Sequence, residues 1–342
     1  MTTAGPDTDC LPATAGLWAR MAPRFSRMPS RRSAQPFVCE QERLVGSSRW
    51  DVNGVRDDVR DWLLEQLDGA EAPRVLVPTK LEFHTNGTRS VGVHREYSET
   101  ARRVENVQVA LFLVYATADR WALVDRELYL PPSWTADPER CRRSGVPERV
   151  GFVARSHLAH RMIDRALDTA DRAVWVAAAE VFGDDPSFHS WLERTDRPYV
   201  LATRSQDRVA AGPAGAGTVD EIVRGAPDTA WQRGDAAGAG REWVRIPLPQ
   251  PAGFETGLER SILAVRVAAE PDRVACYRCR ALPGTPDRDL IHVARTLAGV
   301  EERFPRATRD LGLTDIRARR YDTWYRHVTL CMLAAACQGI GR

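Results

Sequence analysis

The sequence predicts an α/β fold with a β-rich segment inserted ahead of its last helices. Three observations carry that prediction. The runs "RVLVPTK" (74–80) and "AVWVAA" (173–178) have the length and β-branched content of buried strands. The stretch "HLAHRMIDRALDTA" (157–170) places Ala159, Met162, Ile163, Ala166, Leu167 and Ala170 on one helical face. Finally, "WVRIPL", "SILAVRVA" and "ACYRCRAL" follow one another between 243 and 282 as consecutive apolar strand-like runs.

Taken in chain order, residues 1–45 carry Pro, Ser and Arg without periodicity and are expected to be loosely ordered. A helix over 54–68 follows, with Asn53 as cap, Val55, Val59, Trp62, Leu63 and Leu67 as its apolar stripe, and Gly69 as its stop. Strands are expected at 74–80, 89–97, 106–115 and 121–128, the third apolar enough to be central. Then come the helix at 157–170, a strand at 173–178, a helix at 186–194 and a strand at 198–203. Residues 204–242, rich in Gly and Ala, read as loop, and helices are expected at 286–304 and 320–338. Antiparallel strands followed by helix, strand, helix, strand, an insertion and a helix is the order of a ribonuclease H-like fold. Its first part is expected over 46–203, the β-rich insertion over 204–284 and the completing helices over 285–342.

A chain of 342 residues suits one large domain with an appendage, or two domains. Apolar and charged contents of 43% and 27% are globular values. No run of 18 apolar residues exists, which predicts no membrane span. The start lacks a basic segment followed by an apolar one, so the chain is expected to be cytoplasmic. Seven cysteines without a framework agree with reduced thiols, and Cys276-x-x-Cys279 lacks the second pair a zinc site needs. A net charge of +2 does not by itself indicate nucleic acid. Among 48 basic residues Lys80 is the one lysine, which singles it out against a drift toward arginine.

Several long words carry a resemblance. "RWDVNGVRDDVRDWLLEQL" (49–67), "GTRSVGVHREYSETARRVENVQVALFLVYAT" (87–117), "LVDRELYLPPSWTADPERCRRSGVPE" (123–148) and "YDTWYRHVTLCMLAAAC" (321–337) resemble IS701-type transposases of actinobacteria, within the DDE superfamily. The resemblance implies strand transfer by two divalent metal ions held on two aspartates and a glutamate. Two Mg²⁺ ions about 4 Å apart activate the attacking oxygen and stabilise the leaving one, and Mg²⁺ demands hard oxygen ligands.

Carried across residue by residue, that pattern is degenerate. Thr79 stands at the first aspartate, Lys80 at the following glutamate and Ala179 at the second aspartate. In "LAGVEERFPRAT" Glu301 is kept, but Leu297 and Thr308 replace the family's Arg and Lys. The region that precedes the "RWD" word in the family is shortened to about 45 residues.

The remaining candidates for chemistry are Lys80, Glu82, His84 and Glu301. Glu301 lies on the stripe Leu290, Val293, Ala294, Leu297, Phe304, so its reading is either a relic carboxylate paired with an arginine or an acid or base with a raised pKa. Lys80 reads as a surface residue or as a cation, base or nucleophile on the rim of the old site. Glu82-x-His84 reads as exposed turn residues, an acid–base pair or two ligands of one soft metal. Asp184 and Asp185 read either as replacements for the lost aspartate or, in preference, as caps for the helix at 186, Arg89, Arg102 and Arg103 as leftover phosphate contacts, and Trp324, Tyr325 and His327 as core. No cofactor is expected. Three functions compete: an active transposase, which the missing ligands disfavour; a non-catalytic DNA-binding or regulatory derivative; and recruitment to a small-molecule biosynthetic step such as a cyclisation. The last is favoured because the folding pattern is intact. Its setting resembles transposase-like proteins of specialised metabolism, such as the azinomycin-type aziridine cyclase complex. It implies a second protein subunit from the same pathway, a small-molecule substrate, weak non-specific contact with nucleic acid at most, and no membrane.

Overall fold

The computed structural model describes residues 50–67, 72–85, 87–98, 102–117, 120–167, 174–210, 216–250, 257–314 and 318–338. The expectations for residues 1–45, for Gly69 and for the end of the helix at 168–170 lie outside them. Helix α1 (Val52–Leu67) turns Val55, Val59, Trp62, Leu63 and Leu67 inward. Its cap is Asp51 rather than Asn53: Asp51 Oδ1 accepts from Gly54 N at 2.9 Å. Asn53 Oδ1 instead accepts from Arg126 Nη2 at 3.1 Å.

Strands β1 (Arg74–His84), β2 (His94–Ser98), β3 (Arg103–Ala116) and β4 (Trp121–Leu128) are antiparallel neighbours. Strand β2 is shorter than the expected 89–97, because Ser90–Val93 make a turn around Gly92 at φ +77°. A Cβ there would sit 2.9 Å from the Tyr129 carbonyl oxygen, so the turn needs glycine. Short helices α2 (Pro132–Thr135) and α3 (Pro138–Arg143) precede α4 (Arg155–Leu167), which buries the predicted stripe. Next come β5 (Val174–Ala178), the one-turn α5 (Glu180–Gly183), α6 (Pro186–Arg194) and β6 (Tyr199–Thr203).

The stretch read as loop is more structured than that. It holds a hairpin of β7 (Arg208–Ala210) and β8 (Ala216–Thr218), then α7 (Val219–Arg224) and β9 (Gln232–Arg233). Thr218 and Glu221 form a capping box that fixes the start of α7. Strands β10 (Arg241–Leu248), β11 (Glu259–Val267) and β12 (Glu270–Ala281) form a meander. Helices α8 (Asp287–Asp310) and α9 (Tyr321–Gln338) complete the chain. Helix α8 runs past the expected end at 304 and through Pro305, because buried Phe304 and Thr308 hold its last turns on the sheet.

One large mixed sheet has the order β2-β3-β1-β5-β6-β12-β11-β10-β9, with β4 sharing the β3 edge with β2. At its centre β1 and β5, and β5 and β6, are parallel; α4 leads from β4 into β5, and α5 and α6 connect β5 to β6. The order β4-β3-β1-β5-β6, antiparallel then parallel, is consistent with a ribonuclease H-like fold. One face packs under α8 and part of α9; α1, α4 and α6 cover the other. Among the described residues no helix is long and apolar enough to cross a membrane.

Candidate functional site

Parallel register decides what the central strands present at their C-terminal ends. Arg74, Val75 and Leu76 of β1 stand level with Val174, Trp175 and Val176 of β5. Continued three residues, that register brings Thr79 level with Ala179. Side chains alternate along a strand, so Thr79 shares the face of Val75 and Val77, which pack with Ala177, Leu297 and Phe304. Phe304 of α8 stacks at 5.8 Å on Phe112, the cross-strand neighbour of Thr79. Three residues earlier on the helix, Glu301 lies beside Glu180, the first residue of α5. The positions that the resemblance assigns to metal-binding carboxylates therefore converge in space, and what they bring is a hydroxyl, a methyl and one carboxylate.

Glu301 departs from its expected setting. The buried stripe of α8 runs through Val300, and Glu301 sits at its flank, exposed and without an ion pair among the described residues. Its pKa is nevertheless raised, first by neighbours that strip part of its hydration and then by the Glu180 charge. Tyr277 of β12 faces the same corner, its hydroxyl pushed up to about 12 by burial and then by Glu301. The corner can exchange a proton at Glu301 but offers no prepared nucleophile.

Lys80 is not on this site. One residue on from Thr79, it points through the opposite face, where its Nζ lies 2.9 Å from Glu82 Oε1. Ser98 donates to the other oxygen of Glu82 at 2.9 Å. Glu82 and His84 share that face but do not form a pair: His84 Nδ1 lies 2.9 Å from Glu105 Oε2, and Arg103 also binds Glu105. Lys80 is thus spent on Glu82 of its own strand, Glu82 also on Ser98 of β2, and His84 on Glu105 of β3. Arg103 is likewise paired, while Arg89 and Arg102 are exposed.

The sequence singles out Asp184 but not its carboxylate neighbour Asp207. Asp184 ends α5 and Asp207 sits in the turn after β6; burial, then Asp207, raises Asp184 to about 6, while Asp207 is lowered. Arg204 lies 3.2 Å from both Asp184 and Glu180. Gly183 permits the approach, since a Cβ there would lie 2.4 Å from the Ala202 carbonyl oxygen. Asp185 is the cap expected of it, accepting from Ser187 N at 2.8 Å and Phe188 N at 3.2 Å. Asp207 had no readable signal, because it falls in the stretch taken as loop.

Two further expectations resolve on geometry. Cys276 and Cys279 lie three apart on β12, so their thiols leave opposite faces of the sheet and cannot hold one ion. Burial pushes them up to about 11 and about 12. Trp324 is core, in edge contact with Phe83, and Tyr325 donates to Glu127 Oε2 at 2.8 Å. His327 lies half-buried, with Nε2 3.1 Å from the Gly312 carbonyl oxygen.

No curated protein matches the chain. Residues 40–219, more than half of it, match the family model described as DDE superfamily endonuclease. That span contains β1, β5 and β6 with their crossovers, the elements that bring Thr79 and Ala179 together, and the chain belongs to the DDE superfamily endonuclease family.

Proposed function

We propose that this chain is an IS701-type member of the superfamily that has lost metal-dependent strand transfer and been recruited to a non-DNA task. That task is a small-molecule biosynthetic step, with the chain as a subunit of a heteromeric enzyme. The observation that carries the loss is the parallel register of β1 and β5, which, extended three residues beyond Leu76 and Val176, sets Thr79 beside Ala179. The family's chemistry implies two divalent ions, and the residues present do not fit them. Mg²⁺ requires carboxylate oxygens in near-octahedral array, whereas a threonine hydroxyl and an alanine methyl stand at two of three positions. Among the described residues no group of three His, Cys, Asp or Glu is placed to hold an ion. No step is therefore routed through a metal.

Recruitment rather than decay is supported by the buried polar network that ties α1, β4 and α4 together. Asp125, fully buried, accepts from Arg56 Nη1 at 3.2 Å and Arg165 Nε at 2.9 Å. A network of this kind is costly when half-satisfied, and a chain under no selection loses it early. On this reading the β-rich segment between β6 and α8 is an insertion that presents surface to the partner subunit.

Two measurements test the proposal. Incubated with supercoiled DNA and Mg²⁺ or Mn²⁺, the protein is expected to leave it intact; nicking that disappears in Glu301→Gln overturns the loss. Tagged and purified from its own cells, it is expected to bring down one stoichiometric partner through an interface of about 2,000 Å² or more. A monomer that binds a specific DNA sequence at nanomolar concentration and physiological salt overturns the recruitment.

A further inference from the structure

The chain pairs its arginines densely: Arg165 bridges Asp125 and Glu127, Arg155 holds Glu96, and Arg233 and Arg266 share Glu242. Three arginines outside these pairs meet at one cavity. A cavity of about 290 Å³ opens between α8 and the facing ends of β3 and β4, and Arg120, Arg295, Arg303 and His292 line it with no carboxylate among the described residues. Among the described residues none of the three arginines has an ion pair. Two are held by a single donor: Arg295 Nη1 gives to the Ala236 carbonyl at 2.9 Å, and Arg303 Nε to the Gly299 carbonyl at 3.0 Å. Their remaining N–H groups are free to converge on a ligand. The floor is buried and uncharged, made by Ala116, Thr117, Trp121, Thr296 and Val300.

Three guanidiniums around one small cavity repel one another unless an anion sits between them. Guanidinium forks match the oxygens of phosphate two at a time. We propose that this cavity is a binding site for the terminal phosphate of a small phosphorylated molecule. The shape selects the terminal group. The volume lies at the lower edge of small-ligand pockets, and the closed floor stops a backbone from passing through, whereas a terminal phosphate can enter end-on. His292 adds no fourth full charge, because burial lowers its pKa, and its ring N–H is already given to the Pro73 carbonyl. The site lies toward the Arg74 end of β1, away from Thr79 and Ala179, so it stands or falls independently of the reading of those residues.

Calorimetric titration of the full chain with inorganic pyrophosphate tests it. One saturable site with a Kd of about 1 mM or tighter is expected. The double variant Arg295→Gln, Arg303→Gln should weaken it at least tenfold. Both residues are exposed, so the fold should hold, with the melting temperature as control. Thr296→Leu fills the floor while keeping every charge and should weaken binding similarly. Arg273→Gln, exposed on the β12 hairpin, should change nothing. Absence of saturable heat, equal loss in Arg273→Gln, or full affinity in the double variant overturns the site. Displacement of pyrophosphate by an unphosphorylated DNA duplex as effectively as by a sugar phosphate overturns the terminal-phosphate assignment, since the cavity would then be reading backbone diesters.

Discussion

Asp125 is the residue on which most of the interior charge depends. Both of its oxygens take guanidinium protons, Oδ1 also accepts from Arg126 N at 2.8 Å, and the Arg126 side chain beside it is itself fully buried. Burial lowers the pKa of Arg126 first, and the Asp125 charge opposes that fall. Removing the carboxylate leaves arginines facing each other in the core, a loss of about 3–5 kcal/mol by analogy with broken buried pairs. Asp125→Ala is therefore expected to be grossly destabilised or insoluble, and Asp125→Asn to lower the urea midpoint clearly. A midpoint unchanged in Asp125→Asn would mean that water, not the carboxylate, satisfies the arginines. Asp184 works in the opposite sense. Its folded pKa of about 6 lies above its ordinary 3.8, so the folded state holds the extra proton between those values. Stability from this group falls as pH rises through that window, and above pH 6 ionised Asp184 is a cost, set against the opposite contribution of Asp207, whose pKa is lowered. Asp184→Asn should stabilise the protein at pH 7, with the difference from wild type shrinking toward pH 4, by at most about 1.4 kcal/mol per pH unit. Thermal melts of both proteins across pH 4–7 read this directly; a constant difference would show that Asp184 is ionised throughout.

At the scale of elements, legibility followed periodicity. Helices α1, α4 and α8 bury the faces their apolar spacing announces, and β1, β3, β5 and β6 lie where apolar runs place them. Boundaries slipped where a special residue governs the backbone. Gly92 converts the first half of "RSVGVHREY" into a turn whose Val91 and Val93 are buried without being strand. Pro305 reads locally as a stop, yet packing of Phe304 and Thr308 carries α8 onward; Glu301 is off the stripe because the buried face passes through Val300 instead. The candidate site was legible in part. Thr79 and Ala179 could be located by motif, but their meeting depends on parallel pairing between strands about a hundred residues apart. Lys80 was misplaced for an equally simple reason: rarity in composition says nothing of which face of β1 a side chain leaves by. The arginine cavity was invisible, because it joins the ends of β3 and β4 to a helix distant in sequence, and arginine is too common in this chain for three of them to stand out.

For the molecule as a whole, the question is whether the fold still has the shape of a two-ion site after losing its ligands. Strand register, not side-chain chemistry, sets that shape, and the register between β1 and β5 is intact. Parallel neighbours lie about 4.8 Å apart, so carboxylates at 79 and 179 would point together toward Glu301 under α8. Introducing both, as Thr79→Asp with Ala179→Asp, should create an ion site that the wild-type protein does not have. Without metal, three carboxylates in one corner repel, and the double variant should melt below wild type. With Mn²⁺ it should recover or exceed the wild-type melting temperature, because an ion bound to the folded state alone stabilises it by mass action, about 2.7 kcal/mol at a hundredfold excess over Kd. Wild type should show no comparable shift, and adding Glu301→Gln to the double variant should abolish the gain. Mn²⁺ stabilisation of wild type equal to that of the double variant would mean that other carboxylates, Asp184 and Asp207 foremost, have taken over the ligand role. In that event strand transfer would again be the activity to assay.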